Sequence, residues 1–289
     1  MGNDPNLIPM REHYDQGREL TRLAESRGQL EFERTKEIIL RHLPNPPAVV
    51  ADIGGGPGRY SLWLAHLGYQ VLHRDLIPLH VSQLREAAGG NPRIQTAVGD
   101  ARQLDLPDES VDAVLLLGPL YHLDRRGDRV RALAQARRIV RRGGPVFAAA
   151  ISRWATRMDA ILRLRAYERL PGAEAEMEAI ERTGRLPPFY PGSFCGYLHR
   201  PGQLRAEVAA GGLQVIDLVC VEGAAYLLDD LAERLCDDSA RRVVMETARA
   251  LERVPELLGV GPHLLVTARG REKGGTAPGP PLPSSVDGV

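Results

Sequence analysis

The chain has 289 residues, and its 37 Lys+Arg balance 37 Asp+Glu, so no net field draws it to nucleic acid or to an anionic membrane. Cys195, Cys220 and Cys236 are far apart and odd in number, and no Cys/His cluster has metal-ligand spacing, which argues against a disulfide scaffold and a metal site. The opening stretch MGNDPNLIPMREHYDQ lacks the basic flank and apolar core of a signal peptide. No apolar run approaches the roughly 18 residues of a membrane span, so the expectation is a soluble, cytoplasmic protein.

Residues 11–43 read as helical, with a broken apolar stripe of Leu20, Leu23, Leu30, Ile38, Ile39 and Leu43 interrupted at Gly28. Pro44-Asn45-Pro46-Pro47 ends that segment, because proline cannot continue a helix. Strand-like runs then recur at 48–53, 69–75, 93–99, 111–117 and 145–151, separated by helical segments at 59–67, 78–88 and 127–141. That alternation predicts an α/β fold with a doubly wound, mostly parallel sheet and helices on both faces. After Ser152 the rhythm stops. Residues 153–200 form an insert holding Trp154, Tyr167, Phe189, Tyr190, Phe194 and Tyr197. A helix at 201–210, a strand at 213–221, a helical stretch at 226–257 and a strand at 263–269 follow. The expected domains are an N-terminal helical segment (1–47), the α/β domain (48–270) and a Gly/Pro/Ser-rich tail (271–289) with too little to bury, expected to be disordered.

The first strand ends in Asp52-Ile53-Gly54-Gly55-Gly56-Pro57-Gly58-Arg59. Glycines at such a turn let backbone approach a ligand where a Cβ would intrude. A dinucleotide fingerprint needs G-x-G-x-x-G, and Arg59 occupies its third glycine. The spacing instead fits D/E-x-G-x-G-x-G, a loop that wraps the amino-acid part of S-adenosylmethionine (SAM). The second strand ends in Asp75, whose carboxylate suits a vicinal diol such as ribose and could equally cap the next helix. The third ends in Gly99-Asp100-Ala101, where Asp100 could accept from an adenine amino group and Ala101 offers a backbone N–H. The fourth ends in Gly118-Pro119-Leu120-Tyr121-His122. All four lie at the carboxyl edge of the sheet, where ligands bind in such folds.

With these motifs, residues 48–152 resemble the class I SAM-dependent methyltransferases of the small-molecule type, the branch that includes quinone-biosynthesis and natural-product enzymes. The resemblance implies a seven-stranded Rossmann-like sheet and SAM as cofactor. Asp52, Gly54, Gly55, Gly56 and Gly58 would hold the methionine part, and Asp75 the ribose. Leu76 and Ile77 would flank the adenine, Asp100 and Ala101 would meet its edge, and Gly118 would face the sulfonium. The implied reaction is methylation of O or N of a small molecule, plausibly a secondary metabolite.

Methyl transfer needs alignment and dryness more than acid–base chemistry. His122 and Tyr121 are the candidate catalytic residues, with His199 a lesser candidate base. Tyr14, Arg18, Arg34 and Thr35 could reach the cofactor from the N-terminal segment, and Arg34 could pair with the methionine carboxylate. The aromatic insert 153–200 is the expected acceptor lid. Expected partners are a small-molecule methyl acceptor, with no membrane and no nucleic acid; a homodimer stays open. The competing readings are a peptide, protein or RNA methyltransferase, and a SAM-binding regulatory subunit without catalysis.

Overall fold

Five strand-like runs, each bounded by turn residues, build a parallel sheet in the computed structural model: β1 (Val49–Ile53), β2 (Gln70–Asp75), β3 (Ile94–Val98), β4 (Ala113–Leu116) and β5 (Pro145–Ser152). The structure describes residues 8–17, 19–24, 26–168, 171–189 and 192–270. The expected tail, Arg18 and Tyr190 lie outside them. The parallel order is β3-β2-β1-β4-β5, and β9 (His263–Gly270) continues it antiparallel to β5, with β8 (Leu213–Cys220) beyond, antiparallel to β9. This is the expected doubly wound sheet. Strands covered on both faces carry continuous apolar runs, and Val50, Ala51, Val114, Leu115, Leu116 and Phe147 are all within 1% of complete burial.

Helices α4 (Arg59–His66) and α5 (Pro78–Ala88) follow β1 and β2, and α6 (Arg126–Ile139) precedes β5; all three match the expected helical segments closely. One face of the sheet packs Ala132, Leu133, Ala136 and Ile139 of α6, together with Leu204 and Val208. The other face packs Ile38, Ile39, Tyr60 and Leu64. Register places Asp52 beside His73 of β2 and Leu115 of β4, so the acidic end of β1 sits centrally at the carboxyl edge.

The N-terminal segment differs from its expected course. It forms three helices rather than one, α1 (Ile8–Tyr14), α2 (Glu19–Arg22) and α3 (Ser26–Leu40), and Gly28, where the apolar stripe is interrupted, lies inside α3. A Cβ at Gly28 would come 2.0 Å from the Arg22 carbonyl oxygen, so glycine there permits close packing of α2 on α3. The insert contains α7 (Ala155–Arg157), a π-helical turn (Met158–Arg163), α8 (Ala173–Thr183), β6 (Arg185–Leu186) and β7 (Gly196–His199). β7 pairs in parallel with the last residues of β5, Ile151 with Leu198 and Ser152 with His199, so the insert ends as part of the sheet. After α9 (Pro201–Ala210) and β8, the expected helical stretch 226–257 is divided into α10 (Leu231–Cys236) and α11 (Asp238–Leu251) with short 3-10 turns on either side. Asp237 breaks it by capping α11, its carboxylate accepting from the Ala240 N–H at 2.7 Å. All three cysteines are free, and no described helix is long and apolar enough to cross a membrane.

Candidate functional site

The loops after β1, β2, β3 and β4 open onto one cleft, roofed by α1 and α2 and walled by Glu31 of α3. The β1 loop is shaped by close approach. Gly54 has φ of 67° and donates its N–H to the Arg74 carbonyl at 2.6 Å. A Cβ there would lie 2.5 Å from Pro119 Cγ, and one at Gly118 would lie 2.8 Å from the Gly54 oxygen, so the two loops need each other's glycines. A Cβ at Gly55 would meet Asp52 Oδ2 at 2.5 Å, and one at Gly58 would meet Leu84 at 2.3 Å. Gly56 alone of the four faces open space, with only Glu19 Cγ at 3.7 Å from its virtual Cβ.

Asp52 is fully buried; the Ser61 hydroxyl donates to its Oδ2 at 2.6 Å, while Oδ1 has no hydrogen-bond partner among the described residues. Burial pushes its carboxyl above the usual range. Asp75 is held differently. Its Oδ2 accepts from the Gly56 N–H at 2.8 Å, and its Oδ1 from the Ile77 N–H at 2.8 Å and from His80 Nδ1 at 3.1 Å. Burial alone would raise it, but these donors, His80 foremost, keep it below the ordinary carboxylate range. One carboxylate thus ties the glycine loop to the start of α5. Leu76 and Ile77 pack with Met10 and Tyr14 of α1. Ala101 lines the cleft, as does Asp100, whose carboxylate accepts from the Arg102 backbone N–H and guanidinium, each at 2.8 Å. An adenine amino group there would share that carboxylate with Arg102.

His122 and Tyr121 reach the cleft from the 3-10 turn after β4. Burial, reinforced by His13, lowers His122 to about 3, and burial raises the Tyr121 hydroxyl above its usual value. Tyr14 joins them across the roof, its hydroxyl 2.7 Å from His122 Nε2. Arg34 and Thr35 do not reach the cleft. Arg34 is fully buried against Glu252 at 2.5 Å, Glu37 and the Val221 carbonyl, behind the sheet edge. Thr35 is buried beside Tyr60. His199 is also fully buried, bonded to Glu207 at 3.1 Å, which Arg129 holds from its other side at 2.7 Å. Of the insert's aromatics, Phe194 packs on His122 and Tyr121, with ring centroids 5.5 and 6.1 Å apart, whereas Tyr197 lies under Arg129 and Tyr167 and Phe189 are exposed. Among the described residues, the cleft walls come from the N-terminal helices and the strand loops rather than from the insert.

The N-terminal helices supply contacts that sequence reasoning missed: Met10, Glu19, Arg22 and Glu31. Arg22 bridges Glu19 at 2.8 Å and Glu31 at 2.5 Å. In sequence it is one arginine among several, and only the turn between α2 and α3 selects it over Arg34. Beside Glu31, at the ends of β8 and β9, Glu222 bonds His263 Nδ1 at 2.5 Å. Burial opposes charge on His263, but Glu31 and Glu222 outweigh it and raise the imidazole to about 9. A raised folded value means stability that is complete below the unfolded value of about 6.5 and lost as pH rises through about 9. Urea unfolding should therefore show about 3 kcal/mol lost across that window, and His263→Gln should flatten the profile there.

Among the described residues, the buried, unpartnered side-chain atoms of the cleft are Asp52 Oδ1, His80 Nε2 and His122 Nδ1. Unmet polar atoms beside a glycine loop and a pinned carboxylate fit a polar ligand with its own donors and acceptors. Adenosine bearing an amino-acid arm is such a ligand. The fold and this loop resemble those of SAM-dependent methyltransferases. Residues 51–148 match a family model described as a methyltransferase domain. The chain is 35% identical over 122 residues to the ubiquinone/menaquinone biosynthesis C-methyltransferase UbiE of Acidiphilium cryptum, covering 41% of this chain and 48% of that protein. It is 34% identical over 107 residues to the malonyl-[acyl-carrier protein] O-methyltransferase of Methylococcus capsulatus, covering 36% and 38%. The chain thus matches less than half the length of these two relatives. A 1,6-didemethyltoxoflavin-N1-methyltransferase of Burkholderia thailandensis, solved with its substrate and S-adenosylhomocysteine (SAH), shares the fold at a TM-score of 0.56 and 16% identity, over 94% of this chain and 92% of that one.

Proposed function

We propose that this protein transfers the methyl group of SAM to an oxygen or nitrogen of a small molecule. The observation that carries the reading is the Asp75 carboxylate, which binds the Gly56 N–H of the glycine loop and stands at the mouth of β2, where a ribose diol would complete its hydrogen bonds. The relatives named as a quinone-biosynthesis C-methyltransferase and as a malonyl-[acyl-carrier protein] O-methyltransferase support methyl transfer. When bound, SAM supplies an activated methyl on a sulfonium. The chain's own part is to orient and to exclude water. Asp52 Oδ1 would accept from the amino-acid ammonium, Asp75 would take the ribose, and Leu76, Ile77 and Met10 would flank the adenine. Gly118 would face the sulfonium, and Tyr121 and His122, which line the same cleft, would meet the acceptor.

Calorimetry with SAH, followed by label transfer from methyl-labelled SAM to a panel of small phenols, carboxylates and amines, tests the reading. SAH should bind, and label should appear on oxygen or nitrogen. Binding with no transfer to any acceptor would favour a regulatory module, and transfer only to added peptide or RNA would favour a macromolecular acceptor. Absence of SAH binding would overturn the cofactor assignment.

A further inference from the structure

Tyr14 of α1 and His122 of the turn after β4 stand 108 residues apart in sequence and meet through a 2.7 Å hydrogen bond at Nε2. The other ring nitrogen, Nδ1, is buried and has no hydrogen-bond partner among the described residues. Both side chains line the cleft. Packed on the imidazole are Tyr121 from its own turn, Tyr14 from α1 and Phe194 from the insert. His13 of α1, His80 of α5 and Asp75 of β2 are the charged or titratable groups that also act on it. None of these gives Nδ1 a bond.

A neutral imidazole has one N–H, and its placement follows from counting unmet groups. With the proton on Nε2, that nitrogen would donate to the phenolic oxygen. Both the Tyr14 O–H and the Nδ1 lone pair would then lack partners. With Tyr14 donating to Nε2, only the Nδ1–H waits. Each buried polar group left unmet costs about 1–3 kcal/mol, so the arrangement with one orphan wins over that with two. Burial with His13 and His80 outweighs Asp75 and holds His122 at about 3, and burial raises Tyr14 well above its usual value, so neither changes charge near neutrality. The other carboxylates of that wall are engaged as well: Glu19 and Glu31 by Arg22, Asp75 by three donors.

We propose that Tyr14 is a positioning residue that locks His122 as the Nδ1–H tautomer, and that His122 donates this hydrogen bond to a methyl acceptor whose oxygen is already ionised at neutral pH, a carboxylate or an acidic phenol or enol. The proposal rests on the methyl-transfer reading above. In the step itself the acceptor oxygen's lone pair forms the bond to the methyl carbon, and the carbon–sulfur bond breaks with its electrons on sulfur. The oxygen's negative charge is consumed, and no proton passes to His122. The β4 turn is then a donor site rather than a base.

The test uses the full chain labelled with 15N-histidine and saturated with SAH. Long-range 1H–15N correlations from about pH 5 to 8 should show His122 with a protonated Nδ1, a bare Nε2 and no titration. Tyr14→Phe should shift the ring toward the Nε2–H form, and the His122→Asn spectrum assigns the signal. A His122 carrying its proton on Nε2 in the unaltered chain, or titrating near 6.5, overturns the proposal. Failure of SAH to bind overturns instead the reading beneath it. In the transfer assay, His122→Asn, whose amide nitrogen takes the place of Nδ1, should stay within about fivefold of the unaltered chain, while His122→Gln should lose about 100-fold in kcat/KM. Tyr14→Phe should lower kcat by about tenfold with KM for SAM unchanged. Equal losses in the Asn and Gln variants, or a panel in which only amines accept label, would refute the tautomer lock or the acceptor class respectively.

Discussion

Replacing Asp75 by alanine should weaken SAH binding about 100-fold in calorimetry, because two hydroxyl bonds to a carboxylate contribute about 3 kcal/mol together. The loss should be accompanied by a smaller loss of stability. Asp75 Oδ1 and Oδ2 are the acceptors for the Ile77 and Gly56 N–H groups, so the variant leaves the glycine loop and the entry to α5 without their shared partner. The isosteric change Asp75→Asn should not restore binding. Both carboxylate oxygens face N–H donors, and the amide nitrogen introduced by that change would turn a donor toward a donor. A folded Asp75→Ala protein with unchanged SAH affinity would remove Asp75 from the ribose site.

The second large effect concerns Arg34, and it falls on stability. Its guanidinium joins α3 to the far end of α11, bonding Glu252 at 2.5 Å, while Arg41 holds the same carboxylate at 2.7 Å. Arg249 and Arg41 also bond Glu37, each within 2.9 Å. Burial would raise Glu37, but these arginines hold it at about 2. Arg34→Ala strips one partner from a carboxylate that is 1% exposed. Arg41 and Arg253 keep the Glu252 charge paired, so the loss is that of buried hydrogen bonds left unmet, about 1–3 kcal/mol. Urea unfolding should show that loss, with SAH affinity of the folded variant unchanged. A tenfold drop in affinity instead would mean that Arg34 touches the cofactor after all.

The contrast between Asp75 and Arg34 shows what sequence conveys. Asp75 closes the strand-like run 69–75, and the glycines that follow Asp52 mark where a ligand would lie. Strand ends are local facts, and the carboxyl edge of a parallel sheet gathers them by topology. The strand and helix positions from 48 to 152 were legible for the same reason. Arg34 is different. Its partner Glu252 is 218 residues away, and nothing in the helical pattern of 11–43 says which arginine turns inward to the cleft and which turns away. The course was set by Gly28, whose missing side chain lets α3 abut the carbonyl of Arg22 and so carries Arg22, not Arg34, to the wall. His199 was misleading in a like manner. It looked like a free base near the insert's end, yet β7 adds to the sheet beside β5 and buries it. Among the insert's described aromatics, Phe194 packs on His122 and Tyr121, Tyr197 lies under Arg129, and Tyr167 and Phe189 are exposed, because their neighbours, not their abundance, decide their exposure.

The roof over the cleft has a kinetic side. His13 Nδ1 and Gln16 Nε2 both donate to the Gly192 carbonyl, at 2.9 and 2.8 Å, and Tyr14 is bonded to His122 on the opposite flank. The C-terminal end of α1 and the residues just after it are therefore fastened on two sides, to the Gly192 carbonyl and to His122, above the cleft. Entry and exit then share one breathing motion, and both rate constants scale with how often the latches part while their ratio stays put. Residence time of a bound adenosine ligand would then follow how firmly His13, Tyr14 and Gln16 hold the roof.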